Sequence, residues 1–446
     1  MKTAAPAASN PATSDLEREL LQRFAALSAD RRDLLARSAE VARGLGSSLY
    51  WVGGGVRDLW LGADTVDIDL VVEGDVASFS ERLADCLSAT GVRASQFMTV
   101  ELSTPEGLRF DLAAARTELY PHPASLPVVA PASIAEDLFR RDFSINCLAL
   151  PLAPDFGGQI IDPCGGLADI ADGRLRILHA GSFRDDPTRL FRLVEFAARF
   201  KFRVEEATAS AAESAIAGGA VEQLSSARLG AALRRALERR ELAGRILQEL
   251  VRLDLLESVV PGLSEEDGAA ACARFARALS ATVDWTPGTD PFRLAMLALS
   301  LELDDDRRRR LARRVDLVAT DLAVVVEGPA RIREAMARLQ ARPSASQAHL
   351  ALRDLFVEEL AVMASDSADT ARWALQELTE MRPLRLSIGG RDLLAAGLLP
   401  GPEVGRALER TLRARIDGRI PAAGELEFAL RAADGLDPDF SRREPE

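Results

Sequence analysis

Hydrophobic side chains change their spacing twice along the chain, near residue 48 and near residue 163. Residues 15–43 carry apolar side chains every three to four positions, which predicts an amphipathic helix that ends near Gly44. Residues 48–150 contain short β-rich runs between glycines and prolines. The runs LYWV, DIDLVV, FMTVEL and LRFDLAA predict strands, and residues 76–87 predict a helix between the second and third.

Strand patterns almost vanish after residue 163, where alanine, leucine and arginine recur with helical periodicity. The predicted fold class is therefore α+β, a small mixed sheet followed by helices only. We divide the chain into residues 1–47, a disordered leader and N-terminal helix, and residues 48–150, the mixed-sheet domain. Helical segments at residues 151–222, 223–368 and 369–446 complete the division.

The composition narrows the class of protein. With 446 residues, 48% of them hydrophobic and 28% charged, the chain predicts several folded domains. No apolar run approaches the roughly 18 residues of a membrane span. The four cysteines are scattered, which predicts reduced thiols in a cytoplasm rather than a disulfide frame or a zinc site. A net charge of −13 means that a polyanionic partner would need locally concentrated arginines.

Three aspartates occupy alternating positions of two predicted strands. Asp67 and Asp69 share one strand face because side chains alternate, and Asp111 points away from its apolar neighbours in the same manner. If the two strands are neighbours, the three carboxylates converge as in a two-metal phosphoryl-transfer site. The alternative is a pair of half-exposed amphipathic strands.

A glycine cluster lies shortly before these aspartates. Gly53, Gly54 and Gly55 follow an apolar strand and precede an apparent helix, so backbone amides are able to approach an anion there. Arg57 would add a side-chain cation. Alone, the glycines indicate only a tight turn; beside the aspartates they predict a triphosphate cradle.

Four strings of residues, in order, resemble motifs of the class II tRNA nucleotidyltransferase and bacterial poly(A) polymerase family, and a string near the C-terminus is also similar to it. The strings are VGGGVRDLWLGADTVDIDLVV, RRDFSINCLAL, IIDPCGGLADI, SFRDDPTRLFRLVEFAARF and GGRDLLAAGLLPGPEVGRAL. The resemblance implies a polymerase-β-like nucleotidyltransferase head at residues 48–150 and a neck with a base-recognition helix. A helical body and a tRNA-binding tail would follow.

The resemblance also implies roles for individual residues. Asp67 and Asp69 match the family's magnesium ligands, and Asp111 completes the predicted catalytic set. The predicted nucleotide-binding residues are Gly53, Gly54, Arg57, Arg141, Asp142, Asp186, Arg189 and Arg192. Without the resemblance, a surface salt-bridge cluster is the favoured interpretation of Arg140, Arg141 and Asp142.

Asp186 and Arg189 stand at a predicted helix start, with Asp186 as N-cap and Pro187 as the first helical residue. In the family this pair serves as an amino-acid template for the incoming base. Cytosine and adenine present an amino donor beside a ring-nitrogen acceptor, whereas uracil and guanine present the inverted pattern. A carboxylate that accepts and a guanidinium that donates therefore fit C and A. The structural alternative is a helix cap and a surface arginine.

The sequence departs from the family pattern at three places near this helix. Asp185 replaces a glutamate, and Ala227-Arg228 replaces Glu-Arg. An arginine usual one turn beyond Arg192 is Glu195 here, so part of the phosphate contact expected from this helix is missing.

The implied function is template-independent addition of C and A, from CTP and ATP, to the 3′ end of tRNA, with Mg²⁺ as cofactor, in the cytoplasm. No membrane and no stable protein partner is expected. Full CCA addition, CC-only addition, A-only addition and poly(A) synthesis share these motifs. The long segment 117–139 argues against CC-only addition, and VVEGD and SFRDDPTR are similar to relatives that split the task, which keeps A-only addition open. An inactive RNA-binding module is the alternative from another class, and the three aspartates argue against it.

Overall fold

The structure is a computed structural model that describes residues 19–63, 67–91, 95–152, 159–285 and 288–433. The chain divides into two compact units, Met1–Arg228 and Leu229–Glu446. The predicted disordered leader lies outside the described residues, and the finer division into head, neck, body and tail stays a prediction. Among the described residues, none of the helices combines the length and hydropathy that a membrane span requires.

The N-terminal helix predicted at residues 15–43 is interrupted in the structure. Residues 19–25 are helical, the chain turns at residues 26–28, and helix α1 (Ala29–Leu45) follows. Helix α1 ends at Gly46, whose φ of 65° lies in the left-handed region that glycine adopts without a Cβ penalty. Gly44 is a helical residue one position before the end of α1 at Leu45, so the predicted end near Gly44 is confirmed.

A six-stranded mixed sheet forms the centre of the first unit, in the order β3-β4-β5-β2-β1-β8. Its strands are β1 (Ser48–Val52), β2 (Asp69–Glu73), β3 (Thr90–Gly91), β4 (Thr99–Ser103), β5 (Arg109–Ala114) and β8 (Ala149–Pro151). The four predicted strands are therefore confirmed as β1, β2, β4 and β5. Strand β2 pairs in parallel with β5, and the other pairings described in this sheet are antiparallel.

Two helices follow the first two strands and pack apolar side chains against the sheet. Helix α2 (Gly54–Leu61) follows β1, and helix α3 (Val76–Leu87) follows β2 with the predicted bounds. Asp75 caps α3, because its carboxylate accepts a hydrogen bond from the Ala77 N–H at 3.0 Å. Val56 of α2 and Phe79 of α3 are buried, which fixes both helices on the sheet.

Short strands and helices make up the rest of the first unit. Strand β6 (Arg116–Leu119) pairs with β7 (Val128–Pro131), and β9 (Arg174–Leu175) pairs with β10 (Arg203–Val204). The helices are α4 (Ile134–Phe139), α5 (Gly166–Ala171), α6 (Ser182–Asp185), α7 (Thr188–Phe200) and α8 (Glu206–Ala217). A single 3₁₀ turn at Ser144–Asn146 leads into β8.

A disulfide joins Cys147 to Cys164, with their Cα atoms 6.2 Å apart. The prediction of four reduced thiols is wrong for this pair, because the fold brings together two cysteines whose spacing carries no pairing signal. Cys86 and Cys272 are free thiols, as predicted.

All regular secondary structure among the described residues of the second unit is helical, as the periodicity after residue 163 predicts. Its helices are α9 (Ser226–Leu237, which begins just before the division), α10 (Arg240–Arg252), α11 (Glu265–Ala281), α12 (Pro291–Ser300), α13 (Asp305–Arg314), α14 (Ala319–Leu322), α15 (Gly328–Gln340), α16 (Ala345–Leu352), α17 (Val357–Ala364), α18 (Ala368–Gln376), α19 (Gly390–Ala395), α20 (Pro402–Ile416) and α21 (Glu425–Ala433). π-Helical turns occur at Ala323–Glu327 and Glu377–Met381, and a 3₁₀ turn at Ala422–Gly424. The α+β fold class is confirmed.

Candidate active site

Three carboxylates lie on one face of the six-stranded sheet. Asp69 in β2 is the register partner of Asp111 in β5, and Asp111 is the partner of Glu101 in β4. Directly opposed residues place their side chains on the same face of a sheet. Ile68 and Leu70 are buried, so the other face of β2 packs into the core. Strands β2 and β5, which carry Asp69 and Asp111, are therefore neighbours. This is the arrangement that the sequence analysis requires for the carboxylates to lie close together.

Asp67 extends this acidic group just ahead of β2, where it is exposed. Burial raises the pKa of Asp111, and the charges of Glu101 and Asp67 raise that pKa further. Asp67 is thus near enough to Asp111 for its charge to act there. Negative charge accumulates at this end of β2 and β5.

The sequence pattern does not predict Glu101 as part of this group. In FMTVEL it alternates with the buried residues Val100 and Leu102, as any exposed strand residue does. Its position opposite Asp111 depends on the order of strands in the sheet, and no local pattern contains that order. An acidic residue on an exposed strand face is the one signal that the sequence offers.

The acidic face has the right chemistry for a divalent cation, since carboxylate oxygens are the hard ligands that Mg²⁺ and similar ions take. A cation would offset the repulsion that raises the pKa of Asp111. In the described part of the chain, however, no group of three or more His, Cys, Asp or Glu side chains is gathered into a formed metal cage. The site thus offers suitable ligands on adjacent strands rather than a closed cage.

The glycine cluster lies where β1 ends and α2 begins, as predicted: Gly53 forms the turn, and Gly54 and Gly55 are the first residues of α2. Gly53 has a φ of 69°, and its N–H donates a hydrogen bond to the Leu148 carbonyl at 3.0 Å. A Cβ on Gly53 would stand 2.8 Å from Arg141 Nη1. A Cβ on Gly55 would stand 2.5 Å from the backbone oxygen of Asp67. These glycines therefore allow Arg141 and the start of β2 to approach the first turn of α2.

Arg57 is buried inside the first unit. Its guanidinium forms an ion pair with Asp58 at 2.7 Å and donates a hydrogen bond to Asn146 Oδ1. It also lies over the rings of Phe200, at 4.6 Å, and Phe196, at 5.3 Å. Burial lowers the pKa of Arg57, and Asp58 offsets part of that effect. The predicted nucleotide contact of Arg57 stays a prediction.

Arg141 is held at the glycine turn by Asp137, through an ion pair of 3.0 Å. Its Nε atom is buried without a hydrogen-bond partner. Asp137 is itself buried and also pairs with Arg140, at 2.8 Å. Gly53 and Arg141, both predicted to bind the nucleotide, are thus neighbours in the structure.

Asp142 ties the sheet-bearing region to helix α7. Its Oδ2 is 2.5 Å from Arg192 Nε, and its Oδ1 accepts a hydrogen bond from Asn146 Nδ2 at 2.9 Å. Burial alone would raise the pKa of Asp142, but Arg192 and the Asn146 hydrogen bond outweigh it and lower the pKa to about 2. Asp142 and Arg192, predicted from separate motifs, therefore form one ion pair between a buried carboxylate and a partly buried guanidinium.

Asp186 and Arg189 bind different partners. Helix α7 begins at Thr188, one residue later than predicted, and Asp186 Oδ1 accepts the Thr188 N–H at 3.1 Å, much as a cap does. The same oxygen pairs with Arg228 Nη2 at 2.7 Å. Arg189 is buried and donates to Ser182 Oγ at 2.6 Å and to a carbonyl oxygen, that of Arg140, at 2.8 Å.

Arg228 also contacts the segment between β6 and β7. Its Nη1 donates to the carbonyl oxygens of Ala124, at 2.5 Å, and Ser125, at 3.3 Å. The sequence marks Arg228 only as half of an altered motif. Its role as the link between this segment and Asp186 depends on contacts of long sequence separation, which local patterns do not contain.

Comparison with known proteins agrees with this geometry. Residues 49–176 match the family described as the Poly A polymerase head domain. The A-adding tRNA nucleotidyltransferase of Geobacter sulfurreducens is 32% identical over 404 residues, which are 86% of this chain and 45% of that protein. The CC-adding tRNA nucleotidyltransferase of Deinococcus radiodurans is 32% identical over 393 residues, 88% of this chain and 91% of that protein. This chain spans less than half the length of the A-adding relatives that it matches.

The likeness extends to three dimensions. The Thermotoga maritima CCA-adding enzyme, solved in complex with tRNA, is 26% identical, with a TM-score of 0.71 over 94% of this chain and 98% of that one. The resemblance inferred from the motifs is confirmed, because the Deinococcus radiodurans relative aligns along most of both chains. The chain belongs to the tRNA nucleotidyltransferase family.

Proposed function

We propose that this protein is a template-independent RNA nucleotidyltransferase that adds C, A or both, from CTP and ATP, to the 3′ end of tRNA. One observation carries the proposal: Asp69 and Asp111 are register partners on parallel strands, beside the glycine turn that opens α2. Relatives that add A or CC to tRNA support the substrate.

In this proposal, each group of residues has a separate task. Asp67, Asp69 and Asp111 would hold Mg²⁺, which supplies Lewis-acid stabilisation of phosphoryl charge when bound. The amides at the start of α2 and the guanidinium of Arg141 bind the triphosphate, because both are positive groups beside Gly53. The carboxylate face then lies next to the α-phosphate that the RNA 3′ hydroxyl attacks.

In this proposal, Asp186 and Arg189 select the base. Asp186 accepts from the amino group of C or A, and Arg189 donates to the adjacent ring nitrogen. Both side chains already have partners, Arg228 for Asp186 and Ser182 for Arg189. Base binding in this proposal therefore exchanges those hydrogen bonds for hydrogen bonds to the base. A base with the inverted pattern would leave both groups unpaired, at about 1–3 kcal/mol each.

A-only addition is the second candidate, and the relatives favour it. The A-adding enzymes from Halalkalibacterium halodurans, Geobacter sulfurreducens and Aquifex aeolicus all match this chain, the first at 43% identity over 186 residues. We place either activity in the cytoplasm, where tRNA and both nucleotides are available.

Incorporation into defined tRNA ends separates the candidates. The full chain is supplied with Mg²⁺ and with each NTP in turn, on tRNA that ends before CCA, after C, or after CC. CCA addition extends all three ends in the order C, C, A, whereas A-only addition extends only the CC end and only with ATP. Repeated addition of A to any end indicates poly(A) synthesis. No incorporation at any end refutes the proposed function.

A further inference from the structure

Glu195 of α7 has no role in the metal binding, triphosphate binding or base selection proposed above. The residue is 8% exposed, and its Oε2 atom is buried without a hydrogen-bond partner. A buried oxygen of a charged group costs free energy when it is unpaired, and folded proteins retain few such atoms. We therefore expect Glu195 Oε2 to accept a hydrogen bond from a donor outside the polypeptide.

Two arginines of the same helix are at the spacing that normally pairs with a glutamate, but both are engaged elsewhere. Arg192 lies three residues before Glu195, and Arg199 lies four residues after it. Arg192 Nε pairs with Asp142 at 2.5 Å, and Arg199 Nη2 pairs with Asp58 at 2.8 Å. Asp142 and Asp58, rather than Glu195, are therefore the ion-pair partners of these two arginines.

Glu195 lies close to a residue that is predicted to bind the nucleotide. Burial alone would lower the pKa of Arg192, but Asp142, and after it Glu195, outweigh burial and raise that pKa. The Arg192 guanidinium lies 4.8 Å from the ring centre of Phe196, the residue next to Glu195. The unpaired carboxylate oxygen is therefore buried beside the predicted nucleotide-binding side of α7.

We propose that Glu195 Oε2 accepts a hydrogen bond from a neutral donor of the bound nucleotide, on its ribose or its base. The proposal rests on the proposed function and adds a specificity residue to it. A carboxylate only accepts hydrogen bonds, so an ionised triphosphate, which offers no donor, does not fit it. Ribose hydroxyls and the amino groups of adenine and cytosine are donors and do fit.

Glu195→Ala tests this proposal, because it should affect the binding of tripolyphosphate and the binding of ATP differently. Glu195→Ala removes a negative charge, and this change by itself favours any anion. Tripolyphosphate, which lacks ribose and base, should bind the variant at least as tightly as it binds the wild type. ATP should bind it about ten- to a hundredfold more weakly, because a hydrogen bond to a charged acceptor is lost.

Calorimetric titration of the full chain, with Mg²⁺ at one fixed concentration, measures both affinities. Glu195→Gln keeps the shape and one acceptor, so its ATP affinity should be intermediate. Glu213→Ala, an exposed glutamate of α8, is the matched control and should bind both ligands as the wild type does. Thermal unfolding of each variant checks that the chain is folded.

Three ATP analogues identify the donor. We expect the Ala penalty to disappear with 2′-deoxy-ATP or 3′-deoxy-ATP if a ribose hydroxyl is the donor. It should disappear with purine riboside triphosphate, which lacks the amino group, if the base is the donor. Unchanged ATP affinity in Glu195→Ala, equal weakening of ATP and tripolyphosphate, or a penalty that persists with all three analogues would overturn the proposal. A wild-type chain that binds neither ATP nor CTP would instead overturn the proposed function.

Discussion

The ion pair of the buried Asp142 with Arg192 should stabilise the fold in a pH-dependent manner. The pKa of Asp142 falls from an ordinary value of 3.8 to about 2. A difference of this size corresponds to about 2 kcal/mol of unfolding free energy at neutral pH. Because the folded-state pKa lies below the unfolded one, this stability is fully present above about pH 4 and is lost as the pH falls through 2.

Asp142→Asn should therefore destabilise the protein by about 2 kcal/mol at pH 7, or more if the unpaired Arg192 adds its own cost. At pH 3 the difference from wild type should be about half as large, because the wild-type carboxylate contributes less there. Asp172→Asn is the control: Asp172 pairs with Arg174 at 2.8 Å, but more than half of its side chain is exposed. A surface pair of this kind contributes less than about 1 kcal/mol.

Equilibrium urea unfolding, followed by far-UV circular dichroism from pH 7 to pH 3, measures these differences. A stabilising role for the Asp142–Arg192 pair is refuted if Asp142→Asn costs no more than Asp172→Asn at pH 7. It is also refuted if the cost of Asp142→Asn is the same at both ends of the pH range.

Three further predictions concern glycines, the acidic face and the β6–β7 segment. Gly55→Ala should cost at least about 1–3 kcal/mol, because its Cβ would clash with the indole nitrogen of Trp51. Gly405→Ala, with nothing within 4 Å of the added Cβ, should stabilise by about 0.5–1 kcal/mol, and urea unfolding that ranks the two variants in the other order contradicts this. Glu101→Gln should lower the raised pKa of Asp111, because it removes a neighbouring negative charge. The acid limb of the pH–rate profile for nucleotide incorporation should therefore move to lower pH. An unmoved limb would show that Glu101 does not affect the pKa of Asp111. Arg228→Ala removes the hydrogen bonds to two carbonyl oxygens between β6 and β7. Hydrogen exchange of residues 120–127 should therefore become faster. Unchanged exchange would show that Arg228 does not hold this segment in place.

Much of the fold is predictable from local sequence patterns, because strand burial and helix capping depend on residues that are close together in the sequence. Strands β4 and β5 alternate buried and less buried residues, β1 and β2 are short runs of mostly apolar residues, and α3 has a capping aspartate at its start, so each carries its own signal. The interruption of the N-terminal helix at residues 26–28 carries no glycine or proline, and the periodicity passes through it. The position of a helix end also depends on backbone geometry: the left-handed residue is Gly46, and sequence alone does not distinguish it from Gly44.

The candidate site is predictable only as far as its motifs. The aspartates of two strands and the glycine turn are visible in the sequence, and the strand order that makes Asp69 and Asp111 neighbours is not. Glu101 enters through that same strand order. Arg228 meets Asp186 across 42 residues of sequence, and its own position shows nothing of that contact. Pairings of this kind are set by packing of the whole unit, so they emerge only in the structure.

The carboxylates of β2 and β5 form the proposed catalytic centre, and single-turnover incorporation of ATP into tRNA ending in CC tests their role most directly. Asp69→Asn and Asp111→Asn keep the side-chain shape, and each should lower the rate at least about a thousandfold, equivalent to about 4 kcal/mol of transition-state stabilisation. Asp85→Asn, an exposed aspartate of α3, should leave the rate unchanged. If either Asp69→Asn or Asp111→Asn retained more than about a tenth of the wild-type rate, these carboxylates would not be the catalytic centre.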